Sequence, residues 1–526
     1  MTSAGQVRRS RLPVGTAAAW TGICAAAFAV LDRLGRGTTF FFDEWDLVLD
    51  ENRWRMLLEP HNGHLIVVNR IFYRVLLEVV GLDTYRVARW CGLVVHLLVA
   101  TLLVVVIRRR AGTVAGIAAG TVVLVLGSGS ENIFWPFQIG FMGSVAAGLA
   151  AWLAFDARSR RGDVVGAACV GLSLACSGVG LAVTAGVLVR LLLERSWRRS
   201  QLALGVPLVL YGLWTLTYGT GEASIGNARS MPSYVFDAAS GAMAGIAGRP
   251  VELGRFFLGA GLVVFLLGLA GPVRRRAGML AAVSVPLALW ALATLARAQY
   301  AVPTSSRYVY IGVVFLLVAS AEAAAGRRYT RDPLVAIAVV VVAGLSVWGN
   351  VQPLRDGAGF LRSWTRVTGP ELRAIEWAAA TVAPDYRPDT TRMPTLTAGP
   401  YLAAVAEHGS PAAPDDVVLG SSDDVRWAVD RVLREASAVQ VVSTGDAAPC
   451  GAGARVVEIP ITGERVQVGV VGGAELRMRR IAERYPEDPV SVLPAGVSEI
   501  VAPSVTAPGR WLVELRATTT GSVCSR

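Results

Sequence analysis

The sequence predicts an α-helical polytopic membrane bundle of about 11 transmembrane helices, followed by a C-terminal extracytoplasmic domain of α+β or β-sandwich-like type. Three observations carry that prediction. The chain has 526 residues, of which 53% are hydrophobic and 17% charged, and its apolar runs recur at lengths that suit a bilayer, roughly 20 residues each. All 50 basic residues are arginine, and six arginine clusters punctuate the runs. Finally, the charge is uneven: residues 1–350 hold 32 Arg against 18 acidic residues, whereas residues 351–526 hold 18 against 21.

The clusters are Arg8, Arg9 and Arg11; Arg108 to Arg110; Arg158, Arg160 and Arg161; Arg195, Arg198 and Arg199; Arg274 to Arg276; and Arg327, Arg328 and Arg331. The positive-inside rule puts all six on the cytoplasmic side, which explains the net charge of +11 without a nucleic-acid partner. Between them the expected spans are 14–34, 85–107, 111–127, 139–156, two legs within 163–194, then 201–218, 255–273, 277–296, 308–326 and 333–350. The N-terminus is then cytoplasmic and the C-terminus outward, in a multi-pass protein of the cytoplasmic membrane. The first run has no small-x-small cleavage site, and further spans follow, so it reads as a span rather than a signal peptide. The legs within 163–194 have only about 16 residues each, roughly 24 Å of helix, and Cys176-Ser177-Gly178-Val179-Gly180 supplies their turn.

This topology gathers the polar residues on the outer face. A long first outer loop, 35–84, carries Asp43-Glu44-Trp45-Asp46, then Pro60-His61-Asn62-Gly63-His64, then Asn69-Arg70 and Arg74. Apolar residues at helical spacing beside Arg70 and Arg74 make 65–80 an interfacial amphipathic helix, and 45–58 is a candidate for a second. The next outer loop carries Glu131, Trp135, Phe137 and Gln138, and a later one Arg297, Gln299, Tyr300, Arg307 and Tyr308.

Taken together, the bundle, the acidic motif at Asp43 to Asp46, Glu131 and the Arg307-Tyr308 pair resemble the GT-C superfamily of integral membrane glycosyltransferases. That resemblance implies an inverting hexosyl- or pentosyltransferase that uses a polyprenyl-phosphate-linked sugar on the outer face. The acceptor would be an envelope glycan, a lipid or a protein, and membrane lipids would be further partners.

The residue chemistry agrees. An acceptor hydroxyl attacking an anomeric carbon needs a carboxylate to take its proton: Asp43 is the first choice, with Glu44 or Asp46 as orienting partner or metal ligand. A phosphate leaving group needs positive charge, for which Arg307, Arg70 and Arg74 are candidates, with Tyr308 beside Arg307 as a further donor-phosphate-binding candidate. The alternatives are lipid-headgroup contacts for these arginines, and for Asp43 a helix cap or a pair with Arg33, Arg36 or Arg53. His61, Asn62, His64, Glu131, Trp135 and Gln138 are candidates for acceptor or sugar binding. Asp43, Asp46, His61 and His64 form a mixed set able to hold magnesium, manganese or zinc, but a turn at Pro60 and Gly63 with histidines hydrogen-bonding headgroups or acceptor hydroxyls is the preferred reading of the motif. Trp45, Trp54, Trp135 and Phe137 suit stacking on sugar or isoprenoid, or an interfacial aromatic belt. His96, mid-span, reads as a satisfied core histidine.

Residues 351–526 open with helical patches at 370–383, 400–408 and 422–436 and continue as short β-rich runs from Val439. Cys450 and Cys524 lie in this outward part, where an oxidising compartment permits a bridge. Two other classes share the general pattern: a lipid or polysaccharide transporter or flippase, and a noncatalytic membrane assembly partner.

Overall fold

A computed structural model describes residues 14–49, 55–194, 197–219, 223–299, 301–327, 332–445, 453–518 and 521–525. Arg8, Arg9, Arg11, Arg53, Trp54, Arg195, Tyr300, Arg328, Arg331 and Cys450 lie outside these residues. In chain order, α1 (Val14–Leu34) precedes a short α2 (Glu44–Val48), a 3-10 turn (Arg55–Leu58) and α3 (Val67–Val80). Then come α4 (Arg86–Ala111), α5 (Thr113–Leu124), a short α6 (Ser130–Phe134), α7 (Ile139–Phe155), α8 (Arg160–Cys176) and α9 (Val179–Leu193). The helices α10 (Trp197–Tyr218), α11 (Met231–Ala247), α12 (Val251–Leu269), α13 (Val273–Arg297), α14 (Ser306–Ala324) and α15 (Pro333–Thr365) follow.

Residues clustering into one compact unit come from 1–36, 52–72 and 86–361; those of a second come from 37–51, 73–85 and 362–526. In the first unit, large apolar side chains stand exposed on the outer helices: Leu216 on α10, Phe256 on α12 and Trp348 on α15 are 86%, 75% and 81% exposed. Exposure on that scale costs too much in water, and a bilayer is the solvent that removes the cost. The chain is a multi-pass membrane protein. Seven of the described helices are long and apolar enough to cross, or eight if α5 and the segment Gly127–Phe134, bent by 55°, make one broken span.

The expected count of eleven is not reached on length and composition. The legs at 163–194 are real, as α8 and α9, but short, and α10 is apolar only over Leu204–Tyr218. The sequence reading also assigned nothing to 219–254, where α11 lies. Met231-Pro232 opens that helix, and Gly248 closes it in the left-handed conformation at φ +62°. The expected outer loop around Ser130 to Gln138 is not a solvated loop either. It folds back into the unit, with Asn132, Ile133, Phe134, Trp135, Pro136, Phe137 and Gln138 all buried. The bend is possible because Gly127 approaches the α15 backbone: a Cβ there would lie 2.4 Å from the Asn350 carbonyl oxygen.

One end of this unit is closed by ion pairs between helix ends. Arg110 (α4) meets Asp156 (after α7) at 2.8 Å and Glu322 (α14) at 2.7 Å, and Arg190 (α9) meets Asp156 and, at 3.3 Å, Glu194. Arg158 adds a contact to Glu194 at 3.1 Å. Two of the six arginine clusters thus meet at one end, and the partners at low exposure supply the opposite charge that such burial requires. His96 is satisfied as expected, with Tyr310 Oη at 2.9 Å and the Leu124 carbonyl at 3.2 Å.

The second unit contains α2, part of α3, and the helices α16 (Thr368–Trp377), α17 (Ala398–His408), α18 (Asp415–Leu419) and α19 (Asp423–Ala436). Eight strands follow: β1 (Gln440–Gly445), β2 (Val456–Pro460), β3 (Arg465–Val471), β4 (Ala474–Arg479), β5 (Ser491–Leu493), β6 (Gly496–Val501), β7 (Leu512–Ala517) and β8 (Ser522–Ser525). They form two antiparallel four-stranded sheets, β1-β6-β3-β8 and β2-β7-β4-β5. Alternating apolar residues such as Leu476, Met478, Val513 and Leu515 are buried, as a half-buried sheet requires. The Asp430 carboxylate accepts backbone bonds from Arg480, Ile481 and Ala482 and so ties α19 to the residues after β4. Cys524 in β8 is disulfide-bonded. Cys24, Cys91, Cys169 and Cys176 are free, and its expected partner Cys450 is outside the described residues.

Candidate functional site

In the second unit, the Asp43 motif is a tight turn held from below. Phe42 takes a left-handed φ of +50°, rare for a bulky residue, and its N–H donates to the Arg392 carbonyl at 3.2 Å. Glu44 is fully buried. Its carboxylate accepts from the Phe41 N–H at 2.8 Å, from Tyr85 Oη at 2.8 and 3.0 Å to its two oxygens, and from Tyr73 Oη. Burial and the Glu44 charge push the Tyr73 phenol well above its usual pKa, so it stays a donor. Glu44 is therefore occupied as a positioning residue, tying the turn to Tyr73 and Tyr85 within the same unit. Trp45 is also core, wedged between Phe40 and Tyr401 with ring centroids 5.5 and 6.2 Å away; it has no free face for a sugar. Asp43 and Asp46 remain half-buried, three residues apart and so on one side of α2. Asp43 sits at the N-cap position but its side chain makes no cap bond, which removes the capping alternative. Arg74 lies 2.5 Å from Glu78, one turn along α3, so its charge is already balanced, and it is a weaker phosphate candidate than it looked.

In the first unit, His61-Asn62-Gly63-His64 is a two-residue hairpin turn. Asn62 and Gly63 take φ of +49° and +72°, as a type I′ turn demands of its two central residues, and His61 and His64 exchange both backbone hydrogen bonds at 3.0 Å. The turn aims the two imidazoles at different neighbours. His61 packs on Phe137 with centroids 5.6 Å apart. His64 lies over Gly178, where a Cβ would come within 2.7 Å of Nδ1, and its Nε2 is 3.4 Å from an Arg297 nitrogen. Burial first, then Arg297 and His61, lower its pKa to about 4, so His64 is neutral at pH 7. A metal on that nitrogen would face a guanidinium, so His64 does not fit the cation set expected from sequence.

Around this turn the helix ends bring the other candidates together. Arg297, the last residue of α13, also donates to the Asn62 carbonyl at 3.2 Å. Arg307, in the first turn of α14, lies 3.6 Å from Glu131 on α6, and Gln138 donates to the same carboxylate oxygen at 3.1 Å. The Glu131 N–H is capped by Ser306 Oγ at 3.0 Å. Trp135 and Phe137 stack on each other, 5.0 Å apart and 23° from parallel; they are buried structure, not an interfacial belt. Tyr308 is buried beneath Arg307, whose guanidinium carbon is 5.7 Å from its ring. Arg70 on α3 reaches the Glu59 carbonyl at 3.5 Å. Arg307 and Glu322 mark opposite ends of α14, about 22 Å apart along the axis, so these groups and the ion-paired end are separated by the height of the unit.

Two participants escaped the sequence reading. Arg297 was noted as an outer-loop residue but not assigned. Tyr234, on the unforeseen α11, is only 4% exposed, lies in the electrostatic field of Arg297, Arg307 and Tyr308, and finds no partner for its hydroxyl among the described residues. The Arg307 Nε, the Gln138 Oε1 and both polar atoms of fully buried Asn132 are likewise open. Buried polar atoms normally find partners, so these groups keep hydrogen-bonding capacity for an incoming group. An apolar groove of about 800 Å³ runs between α8 and α10 and includes Leu58 and Leu65, which flank the histidine turn.

No family model matches this sequence, and no curated protein matches it. Among solved structures, it is similar to ArnT from Cupriavidus metallidurans bound to undecaprenyl phosphate, at 14% identity and TM-score 0.44, over 70% of this chain and 81% of that one. It is also similar to the arabinosyltransferase EmbB from Mycobacterium smegmatis, at 11% identity and TM-score 0.38, over 99% of this chain and 66% of that one. Likeness at this level carries nothing about chemistry, which has to come from the residues.

Proposed function

We propose that the protein is a membrane glycosyltransferase that moves a sugar from a polyprenyl-phosphate donor to an extracytoplasmic acceptor. The observation that carries this reading is the cluster at the α13, α14 and α6 ends. Arg307 pairs with Glu131, Arg297 stands beside the neutral His64, and both guanidiniums act on Tyr234, among several buried polar atoms without partners in the described residues. That excess of one positive charge suits an anion, and guanidinium suits phosphate above other anions. The apolar groove beside the turn suits an isoprenoid.

In this scheme the acceptor hydroxyl oxygen bonds to the anomeric carbon as the bond from that carbon to the phosphate oxygen breaks. Polyprenyl phosphate leaves with the electron pair, its negative charge held by Arg307 and Arg297 with the Tyr234 hydroxyl donating. Asp43 takes the acceptor proton, and the configuration at the anomeric carbon inverts. Asp43 and Asp46 are also able to hold a divalent cation, which would supply further positive charge; a chelator wash followed by magnesium or manganese return tests that part.

The experiment for the donor site is binding of polyprenyl phosphate to the purified protein in nanodiscs, alongside transfer from polyprenyl-phosphate-linked hexoses and pentoses. Arg307→Ala should weaken lipid-phosphate binding and lower kcat/KM by about 10- to 100-fold, the worth of one charge-assisted contact. Unchanged binding would remove Arg307 from the donor site. Lipid movement across the bilayer without any sugar transfer would favour the transporter class instead.

A further inference from the structure

The second unit contains a polar cavity of about 460 Å³, lined by Glu371, Arg387, Asp389, Thr390, Arg392 and Arg431 among others, within the range of small-ligand pockets. Its floor is Glu371 on α16, which is 0% exposed. The Glu371 Oε1 accepts from Arg392 and Arg431, each at 2.9 Å. Asp389 accepts from the backbone of Thr391 and Arg392 at 2.7 and 2.8 Å and pairs with the Arg392 guanidinium at 2.6 Å. Two buried atoms of the lining stay without a partner among the described residues. The Glu371 Oε2 accepts nothing and the Arg392 Nε donates to nothing among the described residues.

That pair sets the ligand chemistry. One open site is an acceptor and the other a donor, so a group that only accepts, such as phosphate or carboxylate, satisfies Arg392 and repels Glu371. An ammonium has the opposite fault. A hydroxyl both donates and accepts, and adjacent hydroxyls on a sugar ring meet both needs. The rim side chains Arg387, Thr390 and Thr391 are exposed and offer further donors and acceptors to a ligand. Burial outweighs the two guanidiniums and raises the Glu371 carboxyl above its usual pKa.

We infer that this cavity binds a sugar through its hydroxyl groups, with Glu371 accepting and Arg392 donating, as a carbohydrate site separate from the cluster around Arg307. It stands on the cavity's own chemistry and holds whether or not the transferase reading does. Saturation-transfer NMR on the full-length protein in nanodiscs, with methyl glycosides of arabinose, galactose, mannose and glucose as probes, tests it. At least one sugar should receive saturation, and both Glu371→Gln and Arg387→Ala should weaken its binding by about tenfold. Inorganic phosphate should not compete. Should Glu371→Gln fail to fold, the exposed Arg387→Ala decides alone. No saturation of any sugar, binding untouched by Arg387→Ala, or competition by phosphate would each overturn the inference. So would a signal lost in Arg307→Ala instead, since that assigns the sugar to the first unit. Absence of sugar transfer by the unmodified protein with the NMR signal intact would count against the transferase reading only.

Discussion

Asp43 and Glu44 are adjacent carboxylates, and the structure predicts opposite consequences for removing their charges. Glu44→Gln keeps the size but leaves one acceptor oxygen where two now serve the Phe41 N–H, Tyr73 and Tyr85. The tyrosine hydroxyls can turn to accept from the new amide. The Phe41 N–H cannot, so at least one charge-assisted bond is lost in a fully buried place. That should cost about 2–3 kcal/mol, which for a unit of this size lowers Tm by about 4–12 °C. Asp43→Asn removes the charge from a half-buried side chain with no capping role. Its stability should change by no more than about 0.5 kcal/mol, while turnover falls by about two to four orders of magnitude and lipid binding survives. Scanning fluorimetry of both variants beside a transfer assay gives the two numbers at once. If Glu44→Gln leaves Tm unchanged yet abolishes transfer, Glu44 belongs to the chemistry and the positioning role is wrong. Near-normal transfer by Asp43→Asn would remove Asp43 as the base.

Three further outcomes follow from the same structure. His64 has a folded-state pKa of about 4, below the unfolded value; the unfolded chain therefore binds its proton first, and stability should fall as pH drops from about 6.5 toward 4. Tm measured against pH should fall more steeply in the wild type than in His64→Gln, and parallel curves would refute this. Cysteines placed at Thr39 and Ala454 should both react with an impermeant thiol reagent from outside intact cells; labelling only after permeabilisation would reverse the topology. Intact mass under non-reducing conditions should find neither Cys450 nor Cys524 as a free thiol, and alkylation of both would exclude their bridge.

Much of the bundle was legible because a bilayer imposes length and polarity on each crossing. The boundaries of α1, α4, α7, α13 and α14 lie close to the apolar runs, and Cys176 to Gly180 turns the chain between α8 and α9. Asn62-Gly63 was legible as a turn for a local reason, since few residues tolerate two positive φ values in succession. The helix at 231–247 was not, because Met231-Pro232-Ser233-Tyr234 and a small-residue stretch carry weak hydropathy, and its faces are chosen by neighbours far away in sequence. Burial of Asn132 to Gln138 was hidden for a related reason: polar residues beside aromatic ones read as an outer loop, and only the close approach of Gly127 to α15 brings them inside.

Composition and periodicity by themselves determined that this chain is a polytopic membrane protein with a folded, β-containing tail, because hydrophobic length and arginine placement act through the solvent and need no partner residue. They also marked Asp43, Glu44 and Asp46 as a motif of interest. That Glu44 is the one buried and tied down by two tyrosines was decided by the tertiary structure alone. Tyr73 and Tyr85 lie 29 and 41 residues beyond Glu44, and hydrogen bonds between such distant positions leave no trace in local spacing. The same holds for Arg297 beside His64 and for the open atoms of Glu371 and Arg392, since a missing partner is a property of the packed neighbourhood and not of the residue.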